Sequence, residues 1–325
     1  MNNLILNNKI FAFLKLIRIE NLIMITLTLI LVRYFILRKI LISNDFELGI
    51  NNYLFGLIIL STVLIAAAGY IINDYFDVKT DLINHPQTVV VDKVLKRRWA
   101  IILHILFTVT GILLGIYCAL KTGYLRLALF HLLSALLLWF YSTHFKKQLL
   151  VGNLVVSILS ASVVFMPLIF EMGLMQKLNP DFVLSNYKMF LSAFKATFVF
   201  ALFAFFTTLT REIIKDIEDI EGDRATGCKT MPIKWGTSLS KTVIFFLIVI
   251  TIILLVFMIY NSIKANMLIL TPQNIYIVLL LILPLSFLIF RLVKANTSRH
   301  YYQCSIILKL VMLSGLMSTV IFYYY

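Results

Sequence analysis

Apolar runs of about twenty residues alternate with short polar segments along the whole chain, the pattern of helices that cross a bilayer. Nine such runs predict spanning helices at roughly 16–37, 52–73, 99–120, 124–142, 150–172, 188–212, 242–260, 274–292 and 304–323. In hydrocarbon each backbone N–H and C=O must be satisfied within its own element, so the pattern implies an all-α, polytopic membrane protein. The eighth run contains Pro284, where a kink is expected. No soluble appendage or long linker interrupts the pattern, so residues 1–325 form one integral membrane domain around a central cavity. A short apolar core followed by a small-residue cleavage site is absent at the start, and no cleaved signal is expected.

The polar positions are less evenly spread than the apolar ones. Of the 15 Asp and Glu in the chain, nine fall in two short stretches. The first, Asn73-Asp74-Tyr75-Phe76-Asp77-Val78-Lys79-Thr80-Asp81, follows directly on the second apolar run. Its carboxylates at 74, 77 and 81 step by three and four, which on a helix sets them within about 60° of one another. The second begins at Arg211 and carries Glu212, Asp216, Asp219 and Asp223 with the same steps, closing the sixth run. Like charges packed on one helical face repel. They are stable together when a cation sits among them, and a hard divalent ion such as Mg²⁺ takes oxygen ligands and bridges protein carboxylates to a substrate's phosphates.

Composition narrows the class. The chain is 61% hydrophobic, with a mean hydropathy of +0.96, far above that of soluble domains. Its net charge of +14 sits in short inter-helix segments, so it reads as membrane topology and attraction to anionic headgroups or a diphosphate. Nucleic acid is excluded as a partner on the same ground. With the N-terminus cytoplasmic, 19 of the 29 Lys and Arg fall on the cytoplasmic side, together with both acidic stretches. The stretches lie about 140 residues apart, each ending an apolar helix and leading into a polar segment. This pattern suggests two related halves facing each other across the cavity. Cys118, Cys228 and Cys304 are scattered, form no metal-binding spacing and read as small apolar residues.

Two acidic clusters at the mouth of an apolar cavity call for a substrate with a metal-binding anionic end and a long greasy tail. A prenyl diphosphate has both. Metal ions would neutralise the diphosphate as a leaving group, and aromatic walls, drawn from 15 Tyr and 26 Phe, would shelter the developing allylic cation. A cation or phosphate carrier also places acids in membrane helices, but near the midplane and beside Pro or Gly breaks, which this chain largely lacks.

The paired motifs, N-D-x-x-D-x-x-x-D at Asn73–Asp81 and D-x-E-D-x-x-G-D-x-x-x-G at Asp216–Gly227, resemble those of the UbiA superfamily of intramembrane prenyltransferases. The resemblance covers nearly the whole chain. It implies Mg²⁺-dependent transfer of a polyprenyl group to a lipophilic acceptor, with Asp74, Asp77, Asp81, Asp216, Asp219 and Asp223 holding metal and diphosphate. Arg18 and Asn21 match the family's Arg-x-x-Asn at the diphosphate pocket, Tyr141 and Lys146 its Tyr/Lys element, and Gly152-Asn153 the start of its fifth helix. Asn73 joins them as a substrate-binding residue of the first motif. His85 stands where the family has an Arg. Imidazole grips phosphate less firmly than a guanidinium, so either His85 binds the substrate's phosphate in a weaker version of that role, or Arg97, Arg98, Lys215 or Lys229 compensates.

The second motif, with Lys229-Thr230 after it, most resembles the branch that alkylates a prenylated glycerol phosphate to make an ether lipid. Lys215, Arg224 and Lys229 are the basic residues available for such an acceptor or for the diphosphate. An aromatic acceptor of quinone synthesis, such as dihydroxynaphthoate or hydroxybenzoate, is the other reading. The enzyme is expected in the cell (inner) membrane, its active site facing the cytoplasm. His104 and His131, within spans, read as hydrogen-bonded packing residues, and Lys309, inside the ninth span, is expected to face a polar cavity.

Overall fold

Each apolar run forms a helix, and the two runs that end in acids run well past their predicted ends. The computed structural model describes residues 9–266 and 268–324. Apart from single turns at Leu125–Leu127, Phe145–Lys147 and Phe182–Ser185, its helices are α1 (Lys9–Leu16), α2 (Ile19–Leu31, continuing through a π turn at Val32–Leu37 into Arg38–Ile42), α3 (Asn52–Asn84) and α4 (Arg97–Thr122). There follow α5 (Ala128–Thr143), α6 (Val151–Leu178), α7 (Tyr187–Glu218), α8 (Ile220–Ala225), α9 (Met231–Asn266) and α10 (Pro272–Ile277, through a π turn at Val278–Ile282 into Leu283–Lys294). The last is α11 (Ser298–Tyr324). No strand occurs among the described residues, only an isolated bridge between Val91 and Leu95.

Nine spans are predicted. Among the described residues eight helices are long and apolar enough to cross a membrane, α9 bending at Gly236 and α10 passing through a π turn. The remaining predicted span falls on α2, which is helical from Ile19 to Ile42 through a π turn of its own. In α10 the expected disturbance at Pro284 takes the form of a second π turn directly before it. Proline has no N–H to close the ladder and its ring crowds the preceding turn, so the helix widens there. Local chemistry sets the other ends. The Asn51 side chain caps α3 by accepting from Leu54 N at 2.8 Å, and Gly123, at φ 82°, ends α4 in the left-handed conformation.

Small residues let the helices approach closely where lipid gives no hydrophobic drive. At Gly111 of α4 a Cβ would lie 2.7 Å from Ile65 of α3, and the Ser61 hydroxyl donates to the Gly111 carbonyl at 2.6 Å. Buried clusters ring the centre. Ile213, Ile248, Leu285 and Leu308 join α7, α9, α10 and α11. Leu16, Ile71 and Ala100 join α1, α3 and α4. Large apolar side chains such as Leu113, Phe246, Ile253 and Leu279 point outward, as lipid-facing residues do. At the end away from the acidic motifs, buried Glu171 accepts from the backbone N–H of Gly49 and Ile50, and Arg33 stacks over Phe55 at 4.2 Å. All three cysteines are buried and unpaired.

Candidate active site

The first acidic motif is helical, as its spacing predicts; the second departs from the single helical face expected of it, because the helix breaks at Asp219. Asp74, Asp77 and Asp81 occupy the last three turns of α3. Asp216 closes α7, Asp219 stands at the break between α7 and α8, and Asp223 lies in α8. The break folds α8 back against the end of α3, so the motifs meet. Asn84 is the clasp. Its amide donates to the Asp219 carbonyl at 2.9 Å and accepts from Gly222 N at 2.8 Å. Thr80 and Thr226 hydroxyls bond across the same seam at 3.1 Å. Gly222 is required there, since a Cβ would come 2.5 Å from the Asn84 amide.

Four of the six aspartates have a partner of their own. Arg18 donates to Asp74 Oδ1 at 3.0 Å and stacks on the Tyr70 ring at 5.0 Å. The Arg18 backbone is left-handed (φ 51°, ψ 58°), a strained conformation for a residue with a Cβ, and these two contacts hold it there. Lys146 pairs with Asp77, which also accepts from Asn73 Nδ2 at 2.7 Å. Asn153 donates to Asp216 Oδ2 at 2.8 Å. His85 Nε2 lies 2.7 Å from Asp219 Oδ1. Gly152 brings Lys146 into position, because a Cβ at 152 would come 3.0 Å from the Lys146 backbone.

The carboxylates of Asp81 and Asp223, one from each motif, accept no hydrogen bond from the side chain of any described residue. They lie close enough to repel each other. Burial first, and then the charges of Asp219, Asp77 and Asp81 against the relief from Lys146, push the Asp223 carboxyl up to about 6. Burial would raise Asp219 too, but the hydrogen bond from His85 and the field of Lys215 hold it below the ordinary carboxylate value. The same hydrogen bond to Asp219 raises His85 above the ordinary imidazole value, against the pull of burial. Burial alone would depress Lys146. Its neighbours Asp77, Tyr141 and Asp81 raise it well above the ordinary amine value. The six carboxylates are hard oxygen donors of the type a divalent cation takes, and Asp81 and Asp223 are not hydrogen-bonded to any described side chain. His85, Glu218 and Asp219 also present donor atoms within 4.8 Å of one another.

Behind this mouth lies a cavity of about 280 Å³. Arg18, Asn21, Asn73 and Tyr141 line its polar end, and Met24, Ile65, Leu138 and Phe203 are among its apolar walls. Asn73 and Thr62 of α3 both line it, so it runs about 16 Å along that helix at 1.5 Å per residue.

The sequence-predicted residues thus divide. The six aspartates, Arg18, Asn21, Asn73, His85, Tyr141 and Lys146 come together. Lys215 is half-buried beside Asp219, while Arg224 and Lys229 stand exposed outside the cavity. His85, expected in the role of a phosphate-gripping Arg, joins the two motifs by its contact with Asp219. Arg97 pairs with exposed Asp92 and Arg98 stacks on Trp99, so both are engaged elsewhere. His104 bonds the Ala68 carbonyl at 3.0 Å as expected. His131 does not fit the hydrogen-bonded reading: it is buried in the cavity wall, and neither ring nitrogen has a partner among the described residues. Lys309 faces the cavity, as expected of a charge inside a span. Sequence reasoning passed over Asn84 and Arg211. Asn84 offered no signal, and Arg211 had one in standing directly before the motif's first acid.

An all-helical membrane fold with an apolar cavity and carboxylates from two motifs at its mouth is the architecture of an intramembrane protein that can hold an anionic head beside an apolar tail. The UbiA prenyltransferase family matches residues 46–313, and the chain belongs to that family. It is a prenyltransferase. It is 31% identical over 230 residues to digeranylgeranylglyceryl phosphate synthase of Methanothermobacter thermautotrophicus, covering 70% of this chain and 68% of that one. To the enzyme of the same name from Sulfurisphaera tokodaii it is 30% identical over 250 residues, covering 74% and 77%. A solved structure of a digeranylgeranylglyceryl phosphate synthase superposes with a TM-score of 0.61 at 22% identity, covering 96% of this chain and 99% of that one. A UbiA homologue from Archaeoglobus fulgidus bound to GPP and Mg²⁺ superposes at 0.59 and 16% identity, covering 95% and 99%.

Proposed function

We propose that this prenyltransferase moves a geranylgeranyl-like group from its diphosphate to the free hydroxyl of a prenylated glycerol phosphate, forming an ether lipid. The observation that carries the metal-dependent part is that Asp81 and Asp223, carboxylates from different motifs whose charges oppose each other, take no side-chain hydrogen bond from any described residue. The acceptor is supported by the relatives named digeranylgeranylglyceryl phosphate synthase and by the second motif.

Asp74, Asp77 and Asp81 from one motif and Asp216, Asp219 and Asp223 from the other would hold Mg²⁺, which would supply the positive charge that makes diphosphate a leaving group. Arg18 and Lys146, each already beside a carboxylate, meet the diphosphate oxygens from the protein side. Asn21, Asn73 and Tyr141 orient that head at the cavity end. The apolar walls take the prenyl chain and keep water from the allylic carbon. The carbon–oxygen bond to diphosphate breaks with its electron pair leaving on oxygen, the glycerol oxygen bonds to the freed carbon, and the hydroxyl proton passes to the leaving group or a motif carboxylate. His85 holds Asp219 in register with the first motif. Lys215, Arg224 and Lys229 add positive charge at the mouth. The basic residues on the same side as the motifs support a cytoplasmic active site in the cell membrane.

An acceptor screen tests this. Purified protein in detergent receives radiolabelled geranylgeranyl diphosphate, Mg²⁺ and either geranylgeranylglyceryl phosphate or an aromatic acceptor, dihydroxynaphthoate or hydroxybenzoate. The expected result is labelled product with the glycerol phosphate alone, abolished by EDTA. Product only with an aromatic acceptor would move the enzyme to quinone synthesis, and EDTA-insensitive transfer would overturn the metal site.

A further inference from the structure

Two cations line the cavity without belonging to the metal mouth. Arg211 projects from α7 and Lys309 from α11. Neither is paired with a motif aspartate: Arg211 donates to Glu212 Oε1 at 3.1 Å, and Lys309 pairs with Glu20. A charge inside a spanning helix is costly unless it faces a polar partner, so Lys309 demands a reason.

Both cations have capacity to spare. The guanidinium carries its donors in a fixed fork suited to phosphate, and Arg211 Nε is buried with no hydrogen-bond partner among the described residues. Glu212 lies in the field of Lys215, Arg18 and Lys146 as well, so it stays compensated if Arg211 turns to another anion. The Glu20 side chain is 76% exposed, so its bond to Lys309 is screened by water and easily exchanged. The donor's diphosphate, meanwhile, has its own cations in Arg18 and Lys146, each bonded to an aspartate of α3.

We propose that Arg211 and Lys309 form a second anion subsite inside the cavity that takes the phosphate of the lipid acceptor. The inference rests on the acceptor reading given above. A donor diphosphate and an acceptor phosphate repel each other, and one positive site would favour binding two copies of either. Two separate sites let both anions enter together and leave the acceptor's hydroxyl between them, facing the allylic carbon.

The experiment compares geranylgeranylglyceryl phosphate with geranylgeranylglycerol, which lacks the phosphate, in the wild type, Arg211→Gln, Lys309→Met and Lys309→Arg. In the wild type kcat/KM favours the phosphorylated acceptor. In Arg211→Gln and Lys309→Met that preference falls at least tenfold, carried by the KM of the phosphorylated acceptor rather than that of the donor, and Lys309→Arg restores most of it. An unchanged preference, or a loss shared equally by both acceptors, overturns the proposal. So does inorganic phosphate competing as tightly as the phosphorylated lipid, which would assign the subsite to the free ion. A wild type inactive on both glycerol acceptors but active on an aromatic one would overturn the acceptor reading itself, and this proposal with it.

Discussion

At the residue scale, the four partnered aspartates of the mouth do two jobs, and in Asp77 and Asp219 the two can be separated. Asp77 accepts from Asn73 and Lys146, and Asp219 from His85, so both hold their neighbours in place as well as offering oxygens to a cation. Asparagine has the same shape and keeps one acceptor oxygen, but not the charge. Asp77→Asn and Asp219→Asn are each expected to lower turnover by more than the roughly 10–100-fold that loss of an outer partner costs a metal site. Their thermal unfolding should remain cooperative. Normal turnover in either variant would sink a mechanism that needs both motifs. The aspartates were legible because their steps of three and four are a helical signature requiring no knowledge of the fold. The partners were legible only in part. Arg18, Lys146 and Asn153 showed through family resemblance, whereas Asn84 acts through contacts with Asp219 and Gly222 that no local spacing encodes. His85 was visible as a departure from the family's Arg, but its bond to Asp219, 134 residues away, was not.

At the element scale, the active site depends on one short helix lying against the end of a long one. The contact of α8 with α3 rests on Asn84 fitting over a residue with no side chain, Gly222. Gly222→Ala would force the Asn84 amide away and cost about 1–3 kcal/mol as overpacking. The expected outcome is a lowered Tm together with weakened metal dependence, read by titrating Mg²⁺ in the transfer assay. Gly56→Ala is the matched control. Nothing lies within 4 Å of a Cβ there, and alanine in a helix is more favourable than glycine, so stability should hold or rise. If Gly222→Ala behaved like the control, the clasp would not be what joins the motifs.

At the scale of the whole molecule, the two ends of the bundle differ in kind. One gathers the paired motifs, Arg18, Lys146 and the loop of residues 85–96. The other is closed by Glu171 and the segment around Gly49 and Ile50. Because the native cysteines are buried, single introduced thiols report sidedness cleanly. Lys93→Cys, exposed at the motif end, should react with a membrane-impermeant maleimide only from the cytoplasmic face. Asn179→Cys, exposed between α6 and α7 at the other end, should react only from outside. The reverse pattern would invert the orientation drawn from the Lys and Arg distribution.

By itself the sequence determined that the chain is helical and membrane-embedded, where its spans fall along the chain and that Asp74, Asp77 and Asp81 share a face. All of these follow from period and composition over neighbouring residues. It erred at the ends of α3 and α7, where runs judged by hydropathy stop although the helices continue, because a helix persists into polar sequence when its last turns are used to meet another element. Only the tertiary structure decided which cations serve the aspartates, that His85 joins the motifs, that His131 is unpartnered, and that Arg211 and Lys309 share the cavity. These depend on residues from 56 to 289 positions apart brought together by helix packing. Separations of that length leave no period in the sequence to read.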